Sequence, residues 1–454
     1  MIAGTWTAII STRPTGVANS YAGPVKFSWS AENFVDIGTV YPSSIDLAPG
    51  ASETITASWN SPSQPGDKAA AIRFGEAGIA AIPVSLRTLV PTGSTGGTFT
   101  GTITGGNGRP GAGPTQTYAF NVPAGVNNLS LHLEIPDNGY LLEGLLVAPD
   151  GAQLSVQGNL DPSGNPQFGM DLYRANPAPG LWRFILLENF TASGNEIAVP
   201  FTARIGFNTA QISASLPNDP GVTLSASAAP VAVPVTVVNT GAVTQAYFAD
   251  ARLSALSSEP LPVYGCSQSS TLPDFCSAFY LPPEIDSVQF IAQSSSPITM
   301  DAYNDTGYNV GATGSPDIYA FDVSSGPYTI VASMSEPEIP YGLWIAVPSL
   351  VGPYGAAGAA STPIATEAFA LMQPFDAAVA SDSGDVWADL TFGTQTYNPL
   401  VLAPGESGTI NLLIAPNAPV GTVVSGYLYI DTFNGNLYTG DEVVSIPYTY
   451  TVGQ

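Results

Sequence analysis

Positively charged residues are scarce in this chain of 454 residues. Lysine and arginine together number 10, against 35 aspartates and glutamates, which gives a formal net charge of −25. Proteins that bind nucleic acid or anionic membrane surfaces depend on lysine and arginine to neutralise phosphate groups. The composition therefore argues against nucleic acid and against an acidic lipid surface as partners.

Long apolar runs and long helical segments are missing as well. No run approaches the roughly 18 apolar residues that span a bilayer, and no signal peptide opens the chain, so we expect no membrane insertion. The best helical candidate, residues 355–372, is interrupted by Pro363. Glycine (47 residues) and proline (41 residues) instead separate short segments rich in Thr, Val and Tyr. This pattern is typical of short strands joined by turns, and it predicts an all-β fold.

Catalytic motifs are also lacking, and there is a single histidine, His132. Any Ser-His-Asp relay would have to use His132, which the alternation of its segment places on the solvent face of a strand. The segment GNGRPG, residues 106–111, matches G-x-G-x-x-G, but Pro110 and the strand that follows exclude the helix of a phosphate-binding loop. We therefore predict no catalytic residue, and an inter-strand loop at 106–111.

The chain has two cysteines, Cys266 and Cys276, in the segment CSQSSTLPDFC. Their even number and short spacing favour a disulfide, which would stabilise the loop by about 2–3 kcal/mol in the chain-entropy model. Two buried free thiols are the alternative. A disulfide would imply an oxidising compartment.

Several short patterns recur along the chain. LAPG occurs at 47–50 and 402–405; G-x-W begins at Gly4, Gly180 and Gly342; and the similar strings TYAFNVPAG and IYAFDVSSG occupy 117–125 and 318–326. Their order indicates duplicated supersecondary units, in which LAPG forms a turn that leads into a strand. Strict alternation, as in LSLHLEI from Leu129, predicts strands with one face on a core and thus tandem β-sandwiches.

Two groups of residues are candidates for binding. Asp382, Asp385 and Asp389 in SDSGDVWAD could offer oxygen ligands to calcium, the one metal we consider, although a solvated acidic turn is the favoured interpretation because the spacing fits no EF-hand. Tyr427 and Tyr429 could form a sugar or peptide platform, although core or cross-strand packing is favoured. We predict no other metal or cofactor.

A family resemblance emerges from longer strings. TGTITGGNGRPGAGPTQTYAFNVPAG, VTVVNTGAVTQAYFADARL, PFTARIGFN and SGDEVVSIPYTYTV resemble the C-terminal regions of secreted, multidomain bacterial subtilisin-like serine peptidases. The resemblance runs from about Trp6 to Val452. It implies a pre-peptidase C-terminal-like jelly roll at 98–210 and immunoglobulin- or fibronectin type III-like sandwiches at 1–90 and 352–454. Between them, 211–351 is expected to be a sandwich that carries the disulfide loop.

The peptidase family's catalytic Asp, His and Ser motifs are missing, so the resemblance assigns no catalytic residue. It implies an extracellular, non-enzymatic accessory region that spaces, stabilises or presents an upstream peptidase domain, with an extracellular protein or polysaccharide as a further partner. The alternative is a self-standing structural protein, such as a surface-layer or filament subunit that contacts neighbouring subunits.

Two expectations concern the ends and the charge of the chain. The segment from Gly4 places Trp6, Ala8 and Ile10 on one face of a strand, which suggests a piece of a longer protein; we expect this strand to pack within the first domain. Because the excess of carboxylates disfavours compactness by repulsion, acidification to about pH 5 should not by itself unfold the sandwiches.

Overall fold

The computed structural model describes residues 37–75, 80–105, 115–161, 165–190, 197–265, 277–294, 298–304, 318–321, 328–335, 339, 341–350, 364–437 and 439–454. The N-terminal strand with Trp6, the loop at 106–111 and the cysteines Cys266 and Cys276 lie outside the described residues, and these predictions stay predictions.

Two hairpins precede the first complete sandwich. Their strands are β1 (Gly38–Tyr41), β2 (Thr56–Trp59), β3 (Gly66–Phe74) and β4 (Ala80–Thr88). β1 pairs with β2 and β3 pairs with β4, both antiparallel, and most of their side chains are exposed. The part of the predicted domain 1–90 that the structure describes thus consists of two separate two-stranded sheets.

Residues 96–207 form a sandwich of two four-stranded antiparallel sheets. The strands are β5 (Gly96–Gly105), β6 (Thr115–Val122), β7 (Asn128–Glu134), β8 (Leu141–Val147), β9 (Gln153–Gly158), β10 (Gly169–Ala175), β11 (Gly180–Phe190) and β12 (Ile197–Phe207). One sheet has the order β10-β7-β12-β5 and the other β6-β11-β8-β9, an eight-stranded double sheet with jelly-roll connections. The predicted alternation is confirmed, since Leu129, Leu131 and Leu133 are fully buried in its core. We call this unit the jelly roll.

The described residues after Phe207 contribute eighteen further strands and a single helix. They are β13 (Ala210–Ala214), β14 (Asn218–Ser225), β15 (Val231–Asn239), β16 (Gln245–Leu253), β17 (Ser257–Leu261), β18 (Tyr264–Gly265), β19 (Ser277–Leu281), β20 (Ile285–Ser294), β21 (Ile298–Asn304), β22 (Ile318–Phe321), β23 (Tyr328–Ser335), β24 (Gly342–Leu350), β25 (Ala365–Met372), β26 (Val379–Ser381), α1 (Val386–Phe392), β27 (Leu400–Leu402), β28 (Ser407–Ile414), β29 (Val423–Asn434) and β30 (Thr439–Gly453). The all-β prediction is confirmed.

These strands form two sandwiches, one inserted into the other. The host sandwich combines the sheets β13-β15-β28-β26 and β14-β30-β29-β16-β27, in which β14 and β30 run parallel. The chain leaves it after β16, builds the inserted sandwich from β17-β25-β20-β23 and β18-β19-β24-β21-β22, and returns at β26. The predicted division into 211–351 and 352–454 is therefore wrong: its boundary falls between β24 and β25, inside the insert.

The inserted sandwich repeats the strand order of the jelly roll. If β18 is set aside as an added edge strand, the eight remaining strands occupy the same places as β5 to β12. Trp182 and Trp344 both lie in the seventh strand, both are fully buried, and they stand opposite Phe120 and Phe279 respectively. These two G-x-W segments are thus structural equivalents, as their repetition predicts.

The second predicted repeat does not hold. TYAFNV lies in β6, the second strand of the jelly roll, whereas IYAF forms β22, which occupies the fifth place in the insert. The strand equivalent to β6 is β19, with the sequence SAFYL. Short apolar strings recur by chance in β-rich chains, so a five-residue match does not establish strand equivalence.

Both LAPG segments form the predicted turn. Ala48 C=O accepts a hydrogen bond from Ala51 N–H at 2.9 Å, and Ala403 C=O accepts one from Glu406 N–H at 3.0 Å. Gly50 and Gly405 have φ of 84° and 78°, which L-residues with a side chain rarely adopt. Proline followed by glycine with positive φ is the signature of a type II turn.

Candidate functional site

His132 lies in strand β7 as predicted, but it is only 25% exposed. Its Nδ1 is 2.5 Å from Asp171 Oδ1 and its Nε2 is 3.2 Å from Glu134 Oε1. Burial opposes protonation of the imidazole, but the hydrogen bond and the charge of Asp171 outweigh it and raise the pKa of His132. Both ring nitrogens are held by carboxylates, an arrangement that leaves neither free to accept a proton from a nucleophile.

Asp171 also connects the jelly roll to the host sandwich. Its Oδ2 accepts a hydrogen bond of 2.6 Å from Asn434 Nδ2, at the end of β29. Nearby, buried Asn128 of β7 accepts from Thr209 Oγ1 at 2.9 Å and donates to the Val443 carbonyl at 3.4 Å. The sheet face that the sequence places in solvent is therefore partly covered by another domain.

The three aspartates considered for calcium have separate roles. Asp385 is 2% exposed and is the N-cap of α1, where its Oδ1 accepts from the amides of Trp387 and Ala388 at 2.9 and 3.1 Å. Asp382 accepts from Asn411 N and Nδ2, and the Asp389 carbonyl accepts from the N–H of Gly393, which ends α1. The segment expected to be a solvated turn is thus the start of a buried helix. An aspartate directly before an apolar segment is a frequent N-cap, so Asp385 could have indicated this helix from the sequence.

An aromatic cluster joins the host and inserted sandwiches around Trp387. The fully buried indole lies 5.7 Å from Phe248 and 5.3 Å from Phe433 of the host, and 5.4 Å from Tyr341 of the insert, between ring centroids. Its Nε1 donates to Asp431 Oδ2 at 2.7 Å. Tyr280 of the insert completes this cluster.

Tyr341 of the insert contacts both of the other sandwiches through its hydroxyl group. Its hydroxyl accepts a hydrogen bond of 2.9 Å from Gly440 N–H in the host, and Gln157 of the jelly roll donates to it at 3.4 Å. We call this region, where Trp387 and Tyr341 lie, the three-domain junction.

Beside the aromatic cluster, the junction contains an acidic recess of about 10 Å³, close to the room that one water molecule needs. It is lined by two carboxylates of the host strands β16 and β29, one of β30 and one of the insert, together with an arginine and three neutral residues: Asp250, Asp431, Glu442, Glu284, Arg252, Pro283, Gln373 and Tyr429. We call this set the acidic recess.

Arg252 supplies the positive charge of the recess. It is 2% exposed, its Nε donates to Asp250 Oδ1 at 2.7 Å, and its guanidinium lies 3.9 Å from the centre of the Phe375 ring. It also donates through Nη1 to the Gln373 carbonyl at 3.3 Å, just after β25, where the chain leads back from the insert. One guanidinium therefore balances several carboxylates.

Burial changes the ionisation of these carboxyls. Desolvation, followed by the charges of Asp250 and Glu442, raises the pKa of Asp431 well above its usual range. Desolvation and the charges of Glu284 and Asp441 raise the pKa of Glu442 to about 8, and desolvation raises that of Asp441 to about 7. At neutral pH Asp441 and Glu442 are therefore partly protonated.

The tyrosine pair forms neither an open platform nor part of a core. Tyr427 and Tyr429 are half-buried, their rings stack with centroids 6.0 Å apart, and Tyr429 OH donates to Gln373 Oε1 at 2.8 Å. The two rings therefore pack on each other along β29, rather than in a core or across strands as the sequence favoured.

A second buried carboxyl lies in the jelly roll. Glu188 is 1% exposed, and among the described residues neither of its carboxylate oxygens has a hydrogen-bond partner. Desolvation raises its pKa to about 7. Sequence patterning could have flagged it, because it interrupts the apolar run FILLENF in β11.

We expect Glu188→Leu to stabilise the jelly roll by about 1–2 kcal/mol at pH 8, since it removes an unpaired buried carboxylate. The wild-type carboxyl has a raised pKa, so its unfavourable contribution grows as pH rises from about 4.5 through 7, and the gain should shrink at pH 5. Urea unfolding at both pH values measures this, with the exposed Glu367→Leu as a control that should change little. A destabilised Glu188→Leu variant would contradict it.

Within the described residues, no group of three or more His, Cys, Asp or Glu side chains is arranged to hold a metal ion. In the same part of the chain, no helix has the length and apolar character needed to cross a membrane.

Comparison with known proteins identifies no family. No family model matches the chain, and neither does any curated protein. Among solved structures, tripeptidyl peptidase 2 matches 86% of this chain and 33% of its own at 13% identity, with a TM-score of 0.29. The M60 catalytic domain with two CBM51 domains from Clostridium perfringens ZmpB matches 74% of this chain and 46% of its own, at 8% identity and a TM-score of 0.16. PNGase F from Flavobacterium meningosepticum matches 60% of this chain and 96% of its own, at 8% identity and a TM-score of 0.17. The chain spans a third of the tripeptidyl peptidase 2 chain, and likenesses this distant carry no functional argument.

Proposed function

We propose that this chain is a non-catalytic extracellular accessory region of a subtilisin-like serine peptidase, in which the sandwiches hold or present a peptidase domain. The observation that carries the proposal is the three-domain junction. A jelly roll, a host sandwich and an inserted sandwich share buried aromatic and polar contacts, among them those of Trp387 and Tyr341. Domains fixed in this way form a spacer of defined shape, unlike modules that hang on flexible linkers.

The sequence resemblance supplies the peptidase context, and the environment of His132 supports a non-catalytic role. The ring nitrogen that would face a nucleophile lies 3.2 Å from Glu134 instead. Extracellular protein or polysaccharide polymers are the proposed surfaces to which such a region directs the peptidase.

We expect the purified chain to hydrolyse neither casein nor peptide substrates, and His132→Ala to leave this unchanged. Labelling with a fluorophosphonate probe, which modifies activated serines, is the direct measurement. Turnover that a serine-directed inhibitor abolishes would overturn the non-catalytic assignment.

Sedimentation velocity distinguishes this function from the structural alternative. An accessory region should remain monomeric over micromolar concentrations, whereas a surface-layer or filament subunit should assemble with neighbouring copies. Ordered assemblies in electron micrographs would replace the peptidase proposal with the structural one.

A further inference from the structure

We propose that the acidic recess is a proton-dependent latch, which holds the inserted sandwich against the host sandwich when its carboxyls are protonated and loosens when they ionise. The inference concerns the junction alone and does not depend on the proposed accessory role.

The first support is the placement of the charges on two different domains. Glu284 belongs to the turn between β19 and β20 of the insert, whereas Asp250, Asp431 and Glu442 belong to the host. Like charges that face each other across a domain interface repel, and in a partly dehydrated recess this repulsion is stronger than in water. Ionisation therefore acts on the contact between the domains.

The second support is Asp431 itself. It is 3% exposed, and its Oδ1 has no hydrogen-bond partner among the described residues, although its Oδ2 accepts from Trp387. A buried, unpaired carboxylate oxygen is costly, while a protonated carboxyl in the same place is neutral. Asp431 also connects the recess to the aromatic cluster, because it lines the recess and accepts the hydrogen bond of the Trp387 indole.

The third support is the backbone of Glu284. Its φ is 60°, a left-handed conformation that a non-glycine residue seldom adopts. The junction thus holds a carboxylate of the insert in a strained conformation near the host carboxylates Glu442 and Asp441, whose pKa values its charge raises. Strain of this kind persists only where surrounding contacts maintain it.

The charged and titratable groups around Asp431, Asp441 and Glu442 come from several elements. They are Asp250 and Arg252 of β16, Asp385 at the start of α1, Tyr397 after that helix, Tyr429 of β29, Glu284 of the insert and Arg174 of β10, whose charge acts on Asp441. The two arginines face a larger number of carboxyls, and Arg252 already binds Asp250 through Nε. Loss of protons therefore increases a net negative charge at the junction.

The direction of the pH effect follows from the raised pKa values. The folded carboxyls bind protons more tightly than the unfolded ones, so the latch contributes its full stability below about pH 4.5. That contribution is lost as pH rises through the folded values, about 7 for Asp441 and about 8 for Glu442. The latch is closed in mildly acidic solution and weakened in alkaline solution.

Hydrogen–deuterium exchange of the intact chain at about pH 5.5 and about pH 8.5, corrected for the intrinsic pH dependence of amide exchange, tests the latch. We expect peptides that cover β19 and α1 to lose protection by about tenfold at the higher pH, while the jelly-roll strand β7 changes much less. Glu442→Gln and Glu284→Gln should each reduce the loss several-fold, and the exposed Glu367→Gln should leave it intact.

Three results would overturn the latch. Equal protection of β19 and α1 at both pH values in the wild-type chain would show that the recess does not respond to protons, whatever the variants do. A uniform loss over all sandwiches would assign the effect to the overall charge of −25. Restored protection at the higher pH in millimolar calcium, but not in the matching sodium salt, would make the recess a cation site instead.

Discussion

Trp387→Ala should destabilise the host sandwich by about 3–5 kcal/mol, the usual range for removing a buried tryptophan. The indole is fully buried at the centre of the junction and contacts aromatic rings of both host and insert. Its loss also removes the donor to Asp431 Oδ2, so that both oxygens of a buried carboxyl would lack a partner. Urea unfolding followed by circular dichroism gives the free energy of unfolding without relying on tryptophan emission.

Trp59→Ala is the matched control, because Trp59 is 44% exposed on the hairpin strand β2. It removes the same number of atoms from the surface and should change stability by less than about 1 kcal/mol. If the two variants were equally stable, α1 would not contribute to the junction in solution and the contacts of Trp387 would carry no stabilisation.

Arg252→Ala should be comparably damaging, with a cost of about 3–5 kcal/mol. Removing one partner of a buried ion pair leaves the other charge without compensation, here Asp250, which is 2% exposed. The stacked contact with Phe375 and the hydrogen bond to Gln373 are lost at the same time. Since both contacts lie where the chain returns from the insert, exchange protection near Gln373 should fall together with the melting temperature.

Two comparisons isolate the buried charge in this effect. The double variant Asp250→Leu with Arg252→Met removes both charges and should recover most of the lost stability, as neutral replacements of buried pairs often do. Arg87→Ala breaks the exposed pair with Asp67 on β3 and β4 and should cost less than about 1 kcal/mol. A double variant as unstable as Arg252→Ala would show that packing, rather than the uncompensated Asp250, dominates.

Much of the local structure was predictable from the sequence because it depends on near neighbours. Alternation identified the buried face of β7, and proline followed by glycine identified both LAPG turns. Repetition of G-x-W identified two equivalent strands, since a buried tryptophan after a glycine with positive φ recurs in both sandwiches. Helix α1 was missed because its seven residues span barely two turns, too few to show a helical period.

The domain boundaries and the junction were not predictable in the same way. β15 pairs with β28 through partners such as Val231 and Ile414, which are separated by the whole inserted sandwich. A single sequence contains no local mark of such pairing, and the glycine- and alanine-rich sequence between β24 and β25 resembles a linker between domains. Likewise Asp250, Glu284 and Asp431 each look like ordinary strand or turn residues until the fold brings them together.

By itself, the sequence determined the fold class, the two LAPG turns and the strand position of His132, all of which follow from period-two patterning and turn chemistry. The jelly roll expected at 98–210 was implied only by the family resemblance. The tertiary structure alone decided that one sandwich interrupts another, that Asp385 caps a buried helix, and that His132 and the recess carboxyls lie at domain contacts. The reason is physical: patterning reports which side of a strand avoids water, whereas ionisation and domain contacts depend on residues far apart in the chain that only packing makes neighbours.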